Sequence, residues 1–252
     1  MPKFYVVSDI HGFANELKKA LKESGFDMNN PEHIAVCLGD PLDRGSQPQE
    51  VIDYLMSLPR KILVKGNHEL LFEECIQRGY PLAHDWHNGT AQTIIDLAPM
   101  AKTFDAACSI AYEKVKGLID SEVNYYESAH YIFVHSFIPL INEDDLPAYY
   151  TKNRRFSFNP DWRNAHASEW EVAMWGNPFY LAMKGLNQTG KTLIFGHFHC
   201  SYPRHIFDGK SEFGSDADFS IYYGNGYIGI DACTAYSGKV NCLVIEDEFM
   251  EE

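Results

Sequence analysis

Residues 33–45 read HIAVCLGDPLDRG, and the way this stretch divides decides how the chain folds. After His33 the first half is apolar and β-rich, a strand bounded by turn residues. The second half cannot continue it. Asp40, Asp43 and Arg44 stand among Gly39, Pro41 and Gly45, a composition that suits neither a helix nor a buried strand. An apolar strand therefore ends in a turn that carries two carboxylates and a guanidinium.

The same division repeats on either side. KFYVVSD (3–9) is a short β-rich run with a polar end, and ANELKKALKESG (14–25) follows as a helix with Ala14, Leu17 and Leu21 on one face and Gly25 as its stop. SQPQEVIDYLMSL (46–58) reads as a second helix, with Ser46 and Gln49 at capping-box spacing and Val51, Ile52, Leu55 and Leu58 apolar. KILVKGN (61–67) and HELLFEECIQRG (68–79) form a third strand and helix. Three strand–loop–helix units in a row predict an α/β fold with a mostly parallel central sheet. Residues 80–122 lose the strand signal and read as a helical insert, clearest at 89–98 and 105–119. YIFVHS (131–136) and KTLIFGHFH (191–199) return as strands. Residues 137–188 are irregular and aromatic-rich, with Trp162, Trp170 and Trp175. SIYYGNGYIGID (220–231) and KVNCLVIED (239–247) read as β, with turn chemistry at Gly224–Gly226 and Ser237–Gly238. No repeat or linker interrupts the chain, so residues 1–252 are expected to form a single domain.

Charge narrows the partners. Thirty-five Asp and Glu against 21 Lys and Arg give a formal net charge of −14, and there is no basic run to neutralise phosphates. Long nucleic acid and anionic membrane are therefore excluded as expected partners. A small phosphorylated ligand is compatible if local cations or metal ions offset the charge. Six cysteines form no C-x-x-C pair, the N-terminus lacks the apolar region of a signal peptide, and no apolar run reaches membrane-spanning length. The expectation is a soluble, reduced, cytoplasmic protein.

Chemistry gathers where the apolar strands end. In open α/β sheets ligands bind beyond the carboxyl ends of the strands. Those ends carry Asp9 and His11, then Asp40, then Asn67 and His68, then His135, then His197 and His199. Carboxylate, imidazole and amide oxygen suit a divalent ion such as Mn, Fe or Zn. One D-x-H pair or one buried histidine says little, since most are solvated or satisfied core residues. The ordered set is too large for one ion and suits two, spaced about 3.5–4 Å apart to clamp both oxygens of a phosphoryl displacement.

As an ordered set, SDIHG, GDPLDRG, GNHE, VHS and GHFH resemble the signature blocks of calcineurin-like metallophosphoesterases. The D-R-G extension is similar to the branch holding phosphoprotein phosphatases and symmetrical bis(5′-nucleosyl)-tetraphosphatases. The resemblance runs from residue 5 to about residue 240. It implies a four-layer α/β/β/α sandwich with two mixed central sheets and a helical insert at roughly 80–122. It also implies two divalent ions, manganese foremost, and a metal-bridging hydroxide that attacks phosphorus with no covalent phosphoenzyme. On that resemblance Asp9 and His11 hold the first ion, Asp40 bridges both, and Asn67, His135 and His197 hold the second. His199 adds to the first. His68 is the acid that protonates the leaving oxygen, with Asp43 accepting its hydrogen bond, and Arg44, with Asn67, binds phosphate.

Two departures stand out. Pro41 and Leu42 fill the middle of the D-R-G loop, and a proline biases the preceding Asp40 towards extended backbone. Phosphoprotein phosphatases also tend to carry a second phosphate-binding arginine after the third ligand block. Here MWGNP offers Asn177 instead, leaving Arg154, Arg155 or Arg163 as substitutes. Asp231 and Tyr236 fall where family members line the site, with a strand-end turn the reading favoured for Asp231. The tryptophans either cover the sheet, the reading favoured, or form a platform for a base. A serine/threonine protein phosphatase acting on phosphorylated protein is ranked first. The alternative is a symmetrical dinucleoside tetraphosphate hydrolase acting on a small phosphorylated substrate. A metal-binding scaffold without turnover is ranked last, because His68 and Asp43 are both present.

Overall fold

The computed structural model describes residues 1–144 and 154–250. The three predicted units form as β1 (Lys3–Val7), α1 (Ala14–Glu23), β2 (His33–Leu38), α2 (Pro48–Ser57), β3 (Lys61–Val64) and α3 (Asn67–Arg78). Helices α4 (Ala83–Asn88), α5 (Thr90–Leu97) and α6 (Phe104–Ile119) make up the insert. Then come β4 (Glu122–Val123), β5 (Tyr125–Glu127), β6 (Tyr131–Val134), β7 (Leu140–Asn142) and β8 (Phe156–Phe158). Helices α7 (Ala167–Ala173) and α8 (Pro178–Met183) lead to β9 (Thr192–Phe195) and α9 (Ser201–Asp208). The described chain closes with β10 (Tyr222–Gly224), β11 (Tyr227–Gly229), α10 (Thr234–Ser237) and β12 (Leu243–Glu246).

Ten of the twelve strands among the described residues divide between two five-stranded sheets, where the residue pattern alone suggested one, and β7 and β8 form a separate antiparallel pair. The first runs β12-β1-β2-β3-β4, parallel except for β12 against β1. The second runs β10-β11-β9-β6-β5, parallel in its centre and antiparallel at both edges. Both are mixed, as the resemblance implied. Side chains alternate along a strand, and here both faces are buried. In β1 and β2, Phe4, Val6, Ile34, Val36 and Leu38 meet Phe133 and Ile194 of the second sheet in a core between the sheets. The opposite-facing Tyr5, Val7, Ala35 and Cys37 pack with Leu17, Val51, Phe72 and Val115 of the first helical layer. Ile132, Val134, Leu193 and Phe195 pack beneath Trp162, Trp170 and Phe179 on the far side. Three apolar interfaces separate four layers, and strands buried on both faces read as continuous apolar runs.

Two local expectations need correction. Helix α2 starts at Pro48 with Gln47 before it and no side-chain cap, so Ser46 does not form the capping box. The Gln47 N–H instead donates to the Gly12 carbonyl at 2.9 Å, and proline at the first helical position lacks a donor to satisfy. Residues 162–183 are not irregular but hold α7 and α8. Trp162 and Trp170 are buried with ring centroids 4.8 and 5.3 Å from Tyr125. They are core, whereas Trp175 is only half-buried.

Candidate metal centre

Backbone geometry singles out the site before any side chain is considered. Among the described residues seven non-glycines have positive φ: Asp9, His11, Asp40, Asp43, Arg44, His197 and Cys233. Six of these are residues that the sequence nominated. Left-handed backbone is costly for such residues and persists where surrounding contacts over-determine it. Asp40 shows how. The proline after it favours extended backbone, yet its φ is 55°. Its N–H donates to Glu69 Oε2 at 3.1 Å, its carbonyl accepts from the His11 N–H at 2.9 Å, and its Oδ1 accepts from the His68 N–H at 3.0 Å. Three hydrogen bonds outweigh the local preference.

Asp40 stands at the middle of the cluster. Its Oδ2 lies 3.9 Å from His11 Nε2, 3.9 Å from His68 Nε2 and 3.6 Å from His135 Nε2. It belongs to both groups of clustered donors, one with His11 and His68, the other with His135 and His197. Asn67 joins the second group, its Oδ1 lying 2.8 Å from His135 Nε2 and 2.9 Å from His197 Nδ1. Asp9 sits beside them and accepts from Ser8 Oγ and from the His197 N–H at 2.9 Å. Asp9, His11, Asp40, Asn67 and His135 are all buried.

The donor atoms fit cations better than they fit one another. His11 Nδ1 donates to the Leu42 carbonyl and His135 Nδ1 to the Leu38 carbonyl, at 2.9 and 2.6 Å. Each ring then turns an unprotonated Nε2 inward. The His197 ring hydrogen-bonds the Trp175 backbone, and its Nδ1 lies only 3.1 Å from His135 Nε2. Lone pairs at that distance need a positive charge between them. The carboxylates make the same demand. Burial pushes Asp9 up to about 6 and Asp40 up to about 7, and it drives His11 and His197 well below the usual histidine range. Charged forms are disfavoured on all sides, a penalty that divalent ions relieve.

His68, Asp43 and Arg44 flank this cluster. His68 Nδ1 donates to Asp43 Oδ2 at 2.7 Å, which aims Nε2 at the cluster. Arg44 forks between His11 Nε2 at 2.6 Å and His68 Nε2 at 3.0 Å. Asp43 is fully buried, and burial raises its pKa to about 7.

Several contributors escaped the sequence reading. Glu69, the last residue of GNHE, is fully buried and accepts from the Gly66 N–H at 2.7 Å as well as from Asp40. Its position three residues into α3 was the available signal. Thr90 Oγ1, on the helical insert, donates to Asp43 Oδ2 at 2.5 Å. Gly89 (φ 92°) presses on the same loop, where a Cβ would lie 2.4 Å from the Arg44 nitrogen. No local pattern links residues 43 and 90. Asp231, which the sequence did nominate, follows β11 in a turn where its Oδ1 accepts from the Cys233 N–H at 2.6 Å, and it is buried within reach of the Asp9 charge.

Other nominated residues lie elsewhere. His199 Nε2 is 3.3 Å from Glu212 Oε1, and its ring packs on Phe213 at 4.9 Å. It is in neither donor group. Arg163 forks onto Glu127 at 2.8 and 2.6 Å, and Arg155 pairs with Asp144 at 3.2 Å. Arg154 is half-buried and acts on the charge of Asp144. Asn177 caps α8 by accepting from the Tyr180 N–H at 3.1 Å. The Tyr236 hydroxyl accepts from the Gly214 N–H at 2.8 Å.

Residues 2–201 match the family of calcineurin-like phosphoesterases, and the chain belongs to it. That places it among hydrolases of phosphate esters, a family that uses a dinuclear divalent-metal centre. A symmetrical bis(5′-nucleosyl)-tetraphosphatase of Buchnera aphidicola subsp. Schizaphis graminum (strain Sg) is 42% identical over 67 residues, 26% of this chain and 24% of that protein. Its counterpart in Buchnera aphidicola subsp. Acyrthosiphon pisum (strain Tuc7) is 37% identical over 67 residues, with the same shares covered. These matches span about a quarter of the relatives' length. Among solved structures, one assigned as a diadenosine tetraphosphatase superposes with a TM-score of 0.54 at 16% identity, covering 97% of this chain and 91% of that one. The cold-active protein-tyrosine phosphatase of a psychrophilic Shewanella species gives 0.53 at 14% identity, covering 98% and 76%. At these identities the likeness is one of fold. No helix among the described residues is long and apolar enough to cross a membrane.

Proposed function

We propose that residues 1–252 act as one domain and hydrolyse the phosphoanhydride chain of dinucleoside polyphosphates, with a symmetrical dinucleoside tetraphosphate as the best-supported substrate. The observation that carries this reading is the match to symmetrical bis(5′-nucleosyl)-tetraphosphatases at up to 42% identity. The serine/threonine phosphatase ranked first on sequence becomes the alternative. It would use a second phosphate-binding arginine, and Arg155 and Arg163 are held in ion pairs with Asp144 and Glu127. Arg44 touches the donor cluster, through His11 Nε2 and His68 Nε2.

Asp9, His11, Asp40, Asn67, His135 and His197 would hold two divalent ions, with Asp40 shared. His199 would join the first only by leaving Glu212. Manganese, iron or zinc each suits this donor set. Such ions, when bound, lower the pKa of water and offset the charge of the phosphoryl group. The chain's own residues do the rest. Arg44 presents a fork of donors that matches two phosphate oxygens. Asp43 fixes the His68 ring, and once the Arg44 guanidinium turns from Nε2 to phosphate, a protonated Nε2 would face the departing oxygen and give its proton to it. Thr90 holds Asp43, so the insert keeps this pair aligned. Leaving phosphate is a weak base with a second pKa of about 6, so anhydride cleavage leans on His68 less than ester cleavage does.

The test is turnover with Mn(II) on diadenosine tetraphosphate beside a phosphoserine/phosphothreonine peptide. Preference for the dinucleotide, with two nucleoside diphosphates as products, is the expected result. Preference for the peptide would overturn the reading in favour of the protein phosphatase.

A further inference from the structure

Beside the metal centre lies a cavity of about 690 Å³ that no role above explains. Binding sites for small organic molecules fall in the range of about 300–1,000 Å³ and are mostly apolar with a few polar groups. This one fits that description. Phe137, Leu140, Phe156, Trp175, Phe198 and Tyr202 supply much of its wall. Asn142, Ser168 and Asn177 are among its polar lining residues.

The wall is continuous with the candidate centre. Phe198 follows His197 in the chain, and Phe137 stands two residues after His135. The Trp175 ring centroid is 6.4 Å from that of His197, and the Trp175 backbone hydrogen-bonds the same imidazole. The rest of the lining comes from α7, α8, α9 and the β7–β8 ribbon, which is not part of either main sheet. The buried Trp162 and Trp170 are held by Tyr125 and by each other. Trp175, half-buried, is the tryptophan in the cavity's lining.

Resting on the proposed reaction, we infer that this cavity receives one nucleobase of the dinucleotide, stacked against Trp175 or Phe198, while the phosphates lie at the metal centre. Aromatic walls hold a base by its π-face whatever its sequence identity. A base is set off from its phosphate by a ribose, which gives it the reach to enter the cavity beside His197 while the phosphate stays on Arg44. The ring of a phosphotyrosine carries phosphate directly and would remain outside. The volume also exceeds what a single phenyl ring fills.

The test separates the cavity from the reaction. Tryptophan fluorescence of the Mn(II)-loaded protein is titrated with ADP, with inorganic pyrophosphate and with phenyl phosphate. Quenching by ADP alone, absent in Trp175→Phe, is expected. In parallel, kcat/KM on diadenosine tetraphosphate is divided by kcat/KM on inorganic tetrapolyphosphate. Val172→Phe, which fills the cavity from α7, should cut this ratio about tenfold or more, with its melting temperature confirming that it folds. ADP that quenches no better than pyrophosphate, or a native ratio in folded Val172→Phe, overturns the inference. Quenching by phenyl phosphate but not ADP also overturns it and marks an aryl-phosphate site. If ADP quenches through Trp175 but diadenosine tetraphosphate is not hydrolysed, the cavity assignment stands and the proposed reaction fails.

Discussion

Removing the Glu69 carboxylate tests whether Asp40, the proposed shared ligand, is positioned from behind. Glu69 Oε2 accepts from two buried backbone donors, the Gly66 N–H at 2.7 Å and the Asp40 N–H at 3.1 Å. Glu69→Ala orphans both. A buried donor without a partner costs about 1–3 kcal/mol, so the pair costs about 2–6 kcal/mol. At about 2–4 °C per kcal/mol for a chain of this size, the melting temperature should fall by about 4–24 °C. A second effect is specific to the site. Asp40 is kept at φ 55° by its hydrogen bonds, and losing one lets its backbone relax towards the conformation that Pro41 prefers. Its carboxylate then shifts, and loss of such an outer partner should weaken metal affinity by about 10–100-fold. Glu69→Gln retains an acceptor oxygen for both donors and should keep most of the stability. Calorimetric melting and Mn(II) titration read the two effects separately. Glu69→Ala that melts with the wild type and binds Mn(II) with native affinity would refute this account of how Asp40 is placed.

Three further outcomes are expected. His68→Asn should slow phosphoserine hydrolysis by about 10²–10⁴-fold and anhydride hydrolysis by less, and an equal loss on both substrates would count against His68 as the proton donor. Gly39→Ala would set a Cβ 2.6 Å from Gly66 Cα and 2.7 Å from His135 Nδ1 at φ 84°. Left-handed strain and overpacking together should cost about 2–5 kcal/mol, and a urea midpoint equal to wild type would contradict it. Asp247 is buried, which alone would raise its pKa, but donors from His130 and Ser128 at 2.6–2.9 Å outweigh burial and leave it below its ordinary 3.8. A folded-state pKa below the unfolded one adds stability above pH 3.8 that fades as pH falls through the lowered value. Urea midpoints of Asp247→Asn should therefore flatten below about pH 4 relative to wild type, and identical profiles would show that the bonds do not stabilise the ionised form.

The strand–loop–helix order and the polar turns after each strand are legible in the residues alone. That follows because turn chemistry and ligand type are properties of a few adjacent residues, as in GDPLDRG and GNHE. The sequence also nominated Asp9, His11, Asp40, Asn67, His135 and His197 as one set, since their residue types suit one class of ion. What it could not decide was partnership across distance. A strand buried on both faces reads the same in one sheet or two, so only packing separated β1–β4 from the sheet containing β6 and β9. Trp162, Trp170 and Trp175 are chemically alike, yet the layers bury two in the core and leave the third facing a cavity. Thr90 reaches Asp43 across 47 residues, and His199 lies against Glu212 instead of among the clustered histidines. Each of these depends on where the layers bring remote segments together, and burial, not local composition, sets the outcome.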